Sequence, residues 1–276
     1  MTIYFKYKIK EMLTNAELLG WGIGFVEFWV IMWVFVFSGS AKVSSEWERY
    51  LASINASMAF AFLGLITIGS IGIALAYSIL YSSRAARYLT KYTKLSPALL
   101  LTEDFLSSLI VLLIFIFIIY ISVLTLSYFK WNVYPRIENP FGVIVDLILA
   151  GVLLYWLSYT LALGVIVLRR VRAISMVSYI PLILAFVAYA QLWIELKSLI
   201  YIIPLVQLPA LIMYHATGAI PPTGCYLKWL VSSSLLTPVN LRLAAVSLFI
   251  WIAIFILASL LLIRRSRGIA IEEIGF

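Results

Sequence analysis

The chain has 276 residues, 64% of them hydrophobic and 12% charged, with a formal net charge of +8. Its mean hydropathy is +1.08. A soluble domain averages roughly 45–50% apolar and 25% charged residues, so the composition excludes an ordinary soluble enzyme and indicates an all-α, polytopic membrane protein.

Reading from the N-terminus, Phe5, Ile9, Met12, Leu13 and Ala16 fall on one arc of a helix, with Lys6, Lys10, Thr14 and Glu17 away from it. That pattern predicts an amphipathic helix over 1–17 lying in the membrane interface. The hydrophobic stretch after it starts near residue 18 and is longer than a signal-peptide h-region, which argues against a cleaved leader. A span needs about 20 mainly apolar residues. Spans are predicted near 18–39, 55–80, 105–128, 142–168, 173–194 and 243–263.

Span one holds Glu27, a carboxylate deep in an apolar run. Such a group costs about 2.5–3.5 kcal/mol on insertion scales, so it is protonated, paired or facing water. It makes either a packing hydrogen bond to a neighbouring helix or part of a transport path or dimer seam. Span two is rich in small residues, Gly64, Gly69, Ser70, Gly72, Ala74 and Ala76, which allow close helix approach. Thr67, Ser70, Ala74, Tyr77 and Tyr81 form a stripe along it at spacings of three and four, a packing face or a pathway lining. Asn55-Ala56-Ser57 is a glycosylation sequon.

Residues 82–104 form the long polar break in the middle of the chain. The uncharged run before it, 50–83, has 34 residues, and the one after it, 105–129, has 25. Arg84, Arg87, Lys91 and Lys94 recur at helical spacing, which at about 100° per residue places them on one face of a short helix. Ser96-Pro97 then gives an N-cap followed by proline at the first helical position. Asp146, a turn into span four, is expected to meet water. Residues 198–227 carry Pro204, Pro209, Pro221 and Pro222, too many for a lipid-facing span. Half-helices re-entering the membrane from outside suit them better, although a seventh span is the other reading.

Of the 20 cations, 13 fall in the odd-numbered polar segments and seven in the alternate ones. The positive-inside rule then places both termini in the cytoplasm and predicts six spans. Tyr128, Trp131, Tyr134 and Trp193 suit an interfacial belt. No aromatic-basic groove marks a nucleic-acid partner. No G-x-x-x-x-G-K-[ST] or H-E-x-x-H run is present. With one cysteine and one histidine, no disulfide, metal or haem constellation is expected. His215 sits in the proline-rich segment, away from any serine deep in a span, so no catalytic residues are assigned.

The amphipathic N-terminal helix, the long second span running into Ser83–Pro97 and the proline-rich segment before span six together resemble the type-2 ABC exporter permease family. The likeness covers the whole chain. That family forms the six-span membrane half of polysaccharide, lipid and drug exporters. The sharpest local match is Lys94-Leu95-Ser96-Pro97, a short S/T-P element before span three. The resemblance implies that residues 82–97 are the coupling helix, docking through Arg84, Arg87, Lys91, Lys94, Ser96 and Pro97 on a separate ATP-binding cassette subunit. ATP and Mg would be bound there, with no cofactor on this chain. It further implies a second permease copy or paralogue, membrane lipids as neighbours, residence in the plasma membrane, and export by alternating access between the two halves. Spans one, two and five would line the path, with Glu27, Thr67, Ser70 and Tyr77 as its candidates. The sequence departs from the family at Ser83-Arg84-Ala85-Ala86-Arg87, where members commonly carry an acidic residue and an E-x-G-T-like run. A divergent partner with an acidic groove is then implied. A non-transporting membrane scaffold and a proton-linked carrier are the alternative readings.

Overall fold

The computed structural model describes residues 3–38, 45–92, 96–231 and 236–265. Among them the regular secondary structure is helical, joined by turns and irregular connections, apart from the isolated antiparallel bridges Glu195–Gly224 and Pro222–Pro238. That is what an apolar medium demands, since a helix satisfies its backbone polar groups internally. Six helices are long and apolar enough to cross a membrane: Gly20–Phe37, Trp47–Ser83, Leu99–Trp131, Pro140–Val167, Val171–Leu192 and Leu241–Ile263. They are called the first to sixth spans below. The molecule is accordingly read as a multi-pass helical membrane protein.

The second span is the axis of the bundle, with 94% of its most apolar window buried, and the fourth follows at 67%. In the other four only 22–33% of the corresponding apolar stretch is buried. Small residues set this hierarchy. A Cβ on Gly69 would lie 2.9 Å from the Ala185 methyl, and one on Gly72 2.9 Å from Pro181 and 3.0 Å from the Ser158 hydroxyl. The fifth and fourth spans can thus approach the second nearly backbone to backbone.

The second-span helix is unbroken from 45 to 92, passing through a π-helical turn at Ala59–Leu63. At about 1.5 Å per residue it is roughly 70 Å long, more than twice the hydrocarbon thickness of about 30 Å. It is therefore longer than the apolar layer is thick.

The third-span helix, Pro97–Trp131, starts as its sequence predicts. Ser96 is extended (φ −72°, ψ 152°), and its hydroxyl accepts from the Leu99 N–H at 3.2 Å. The helix ends at Asn132, left-handed at φ 52°. Asn139 caps the next helix, accepting from the Gly142 N–H at 2.9 Å. The N-terminal helix Ile3–Thr14 packs on the start of the third-span helix. Phe5 and Met12 are buried and Ile9 and Leu13 half-buried, while Ala16 is exposed.

Between the fifth and sixth spans the prolines divide the chain into the 3₁₀ turn Lys197–Tyr201, the ten-residue helix Leu208–Thr217 and the six-residue helix Tyr226–Val231. None reaches crossing length. Leu208–Thr217 packs on the fourth span and is buried along most of its length. The segment is pinned at Gly224, whose φ is +149° and whose missing Cβ would sit 2.1 Å from the Ile194 carbonyl oxygen. Gly224→Ala is expected to break the Glu195–Gly224 bridge and lower the melting temperature. Backbone strain alone amounts to about 1–3 kcal/mol. An unchanged melt would contradict this packing.

Candidate functional site

Lys8 lies on the apolar arc of the N-terminal helix, three residues after Phe5 and four before Met12, and all three side chains are buried. A buried ammonium group needs partners, and Lys8 has several. Its Nζ donates to Ser78 Oγ at 2.7 Å and to Glu11 Oε2 at 3.2 Å, and lies 3.7 Å from Asp104 Oδ1. Asp104 is buried too. It accepts from the Tyr4 hydroxyl at 3.1 Å and from the Tyr155 hydroxyl at 2.9 Å, one on each oxygen. Burial, and then the adjacent Asp104 carboxylate, pushes the Tyr4 phenol well above its ordinary range, so it remains a donor. These contacts fasten the N-terminal helix to the second, third and fourth spans at one end of the bundle. The sequence held a signal for this network: a lysine placed on the apolar arc.

At the same end, the helix of the second span runs on to Tyr92. Arg84, Arg87 and Lys91 therefore sit on a continuation of the span, where a separate short helix is predicted. No glycine or proline lies between Ser83 and Tyr92, and Ala85, Ala86 and Leu89 favour helix, so nothing stops it there. Lys94 lies outside the described residues. Ser96 and Pro97 restart the helix as its cap and first residue.

The stripe on the second span divides in two. Thr67 and Ser70 are fully buried, and their hydroxyls donate to the carbonyls of Leu63 and Thr67, each at 2.8 Å. Ser70 also reaches the Trp21 carbonyl at 3.3 Å. Below them Tyr77 and Tyr81 stack with centroids 6.2 Å apart. With Ile73, Ala74, Trp21 of the first span and Tyr179 of the fifth they line a cavity of about 310 Å³. That volume falls at the lower end of small-molecule sites, about 300–1,000 Å³. Its walls come from the first, second and fifth spans. Glu27 lies apart from it, against Ser122 of the third span, and its Oε1 is buried with no hydrogen-bond partner among the described residues.

At the opposite end of the bundle Asp146 does not meet water as expected. It is buried, and its Oδ2 lies 2.6 Å from His215 Nδ1. The reason is the helix Leu208–Thr217, which the prolines fold back over the start of the fourth span. The connection before that span is fastened to the same helix: the Glu138 and Asn139 N–H groups donate to the carbonyls of Ala216 and His215 at 3.0 and 2.9 Å. Spacing in the sequence gave no sign of this pair, whose members are 69 residues apart. Compared with models of known protein families and with curated proteins, the chain matches none.

Proposed function

We propose that this chain is the membrane-spanning permease subunit of an ABC transporter, an exporter driven by ATP hydrolysis on a separate subunit. The observation that carries the reading is the unbroken helix 45–92. It takes Arg84, Arg87 and Lys91 beyond the apolar layer, and the chain returns into the third span at the Ser96-Pro97 cap. This is a stiff, basic projection on which a soluble partner can push. In the proposed mechanism, closure of the ATP-bound partner dimer moves the projection. The Lys8–Asp104 network carries that motion to the N-terminal helix and to the second, third and fourth spans together. The cavity beside Tyr77 and Tyr81 supports a path along the first, second and fifth spans, with a second permease copy as the opposite wall.

The purified chain alone is expected neither to bind nor to hydrolyse ATP, because it has no phosphate-cradling loop. Saturable nucleotide binding by the isolated chain would overturn the permease reading.

The proposed orientation, with both termini in the cytoplasm, is tested by thiol labelling in a Cys225→Ser background, since Cys225 is a free thiol. A cysteine at Ser45 should react with an impermeant reagent from outside, and one at Ser83 should not. Outside labelling of a cysteine at Ser266 would replace six spans by seven.

A further inference from the structure

At the end of the bundle opposite the N-terminal helix, a cavity of about 500 Å³ opens between the second-span helix, the connection before the fourth span and the two short helices after the fifth. Arg49 and Tyr50, with Ser53 one turn on, form its wall on the second-span helix, and Arg136, Thr217 and Trp229 face them from the other elements. The frame is fixed. Ser53 Oγ accepts from the Arg136 N–H at 2.8 Å, and the connection is bonded to Ala216 and His215, behind which His215, half-buried, pairs with the buried Asp146.

The cavity carries more positive than negative charge. Arg136 pairs with Glu138 at 3.0 Å, but both side chains are largely exposed, so that contact is weak and open to competition. Arg49 is exposed on the second-span helix and belongs to none of the ion pairs among residues whose side chains are described. Two guanidinium groups beside tyrosine and tryptophan rings match a phosphate head carrying a less polar body, because guanidinium binds phosphate through paired N–H groups. The volume exceeds what inorganic phosphate needs and is in the range of small-molecule sites, about 300–1,000 Å³. Its position adds a second argument. The third span ends at Trp131 and the fourth begins at Pro140 on this side, so the cavity lies at the boundary of the apolar layer, where lipid phosphates are. From this arrangement we infer that the cavity is a binding site for a phosphate-headed molecule, held by Arg49 and Arg136 and walled by Tyr50 and Trp229. The inference rests on the membrane-spanning fold and not on coupling to ATP.

The test uses the full chain in detergent, with bound lipid counted by native mass spectrometry. The probes are a phosphatidylglycerol, a phosphatidylcholine and glycerol 3-phosphate. Phosphatidylglycerol should be retained in preference to phosphatidylcholine. The double variant Arg49→Gln/Arg136→Gln should weaken retention by about tenfold or more. Ala219→Trp, at an exposed position lining the cavity, fills the space without changing charge and should weaken it as well. Lys130→Gln, which removes a cation at the same end, should leave retention unchanged. Displacement of the lipid by glycerol 3-phosphate would identify the ligand as a soluble organic phosphate. No displacement would identify it as the lipid head group. Retention that survives both cavity variants overturns the site. So does retention that falls equally with Lys130→Gln, or that falls with the arginine variant but not with Ala219→Trp.

Discussion

Replacing Asp104 with alanine is expected to destabilise the bundle by about 3–5 kcal/mol, because it leaves the buried Lys8 ammonium without its long-range counter-charge. The carboxylate accepts from Tyr4 and Tyr155 and faces Lys8, so the substitution frees three groups at once. Glu11 cannot compensate, since its side chain is 53% exposed and its pairing with Lys8 is local. Tyr155→Phe removes one hydrogen bond to a charged group, about 1.5–3 kcal/mol, and should have the smaller effect. Replacing the ion pair as a whole by Lys8→Met with Asp104→Leu should recover most of the loss, because a buried pair and an apolar pair of similar size are often nearly equivalent. Scanning fluorimetry of the detergent-solubilised chain gives the melting temperatures, and protease access to Ile3–Thr14 reports whether the N-terminal helix has come loose. A melt unchanged by Asp104→Ala would show that the network does not hold the helix.

On the proposed permease function, joint replacement of Arg84, Arg87, Lys91 and Lys94 by glutamine is expected to release an ATP-binding partner or to uncouple ATP hydrolysis from transport. Each exposed charge pair is worth only about 0.2–1 kcal/mol and is screened by salt, so single changes should be mild. Together the four amount to roughly 1–4 kcal/mol, a loss of about tenfold or more in affinity over most of that range. Loss of four cations can also disturb insertion, since they contribute to the positive-inside bias. The control therefore moves the four cations to positions 85, 86, 89 and 93, keeping the charge while removing the stripe. Binding and transport by this rearranged chain at native levels would make the cations topogenic only and remove the docking face from the account.

Local signals in the sequence translated well into structure. Hydropathy located six long apolar helices, and the Ser96-Pro97 pair marked the first turn of the third-span helix because a cap depends only on neighbouring residues. The four prolines after the fifth span foretold a segment with no helix of crossing length. Pairing between distant residues was not legible. Tyr4 and Asp104 are 100 residues apart and Asp146 and His215 are 69, and no periodicity connects them. Charge alone suggested a loop helix separate from the second span. Continuity to Tyr92 instead follows from the helix formers Ala85, Ala86 and Leu89 and the lack of a breaker. The stripe on the second span was visible as a pattern. Only packing separated buried Thr67 and Ser70 from Tyr77 and Tyr81 at the cavity.

The proposed function is tested most directly by purifying the tagged chain from the membranes of its native host, in mild detergent, and identifying what comes with it. The permease reading predicts an ATP-binding subunit in equal stoichiometry, in a complex holding two copies of each half or a paralogue in place of one permease copy. ATPase activity should accompany that complex and disappear when the partner is stripped away. Recovery of an intact, monodisperse chain that never carries a nucleotide-binding partner would contradict the permease reading.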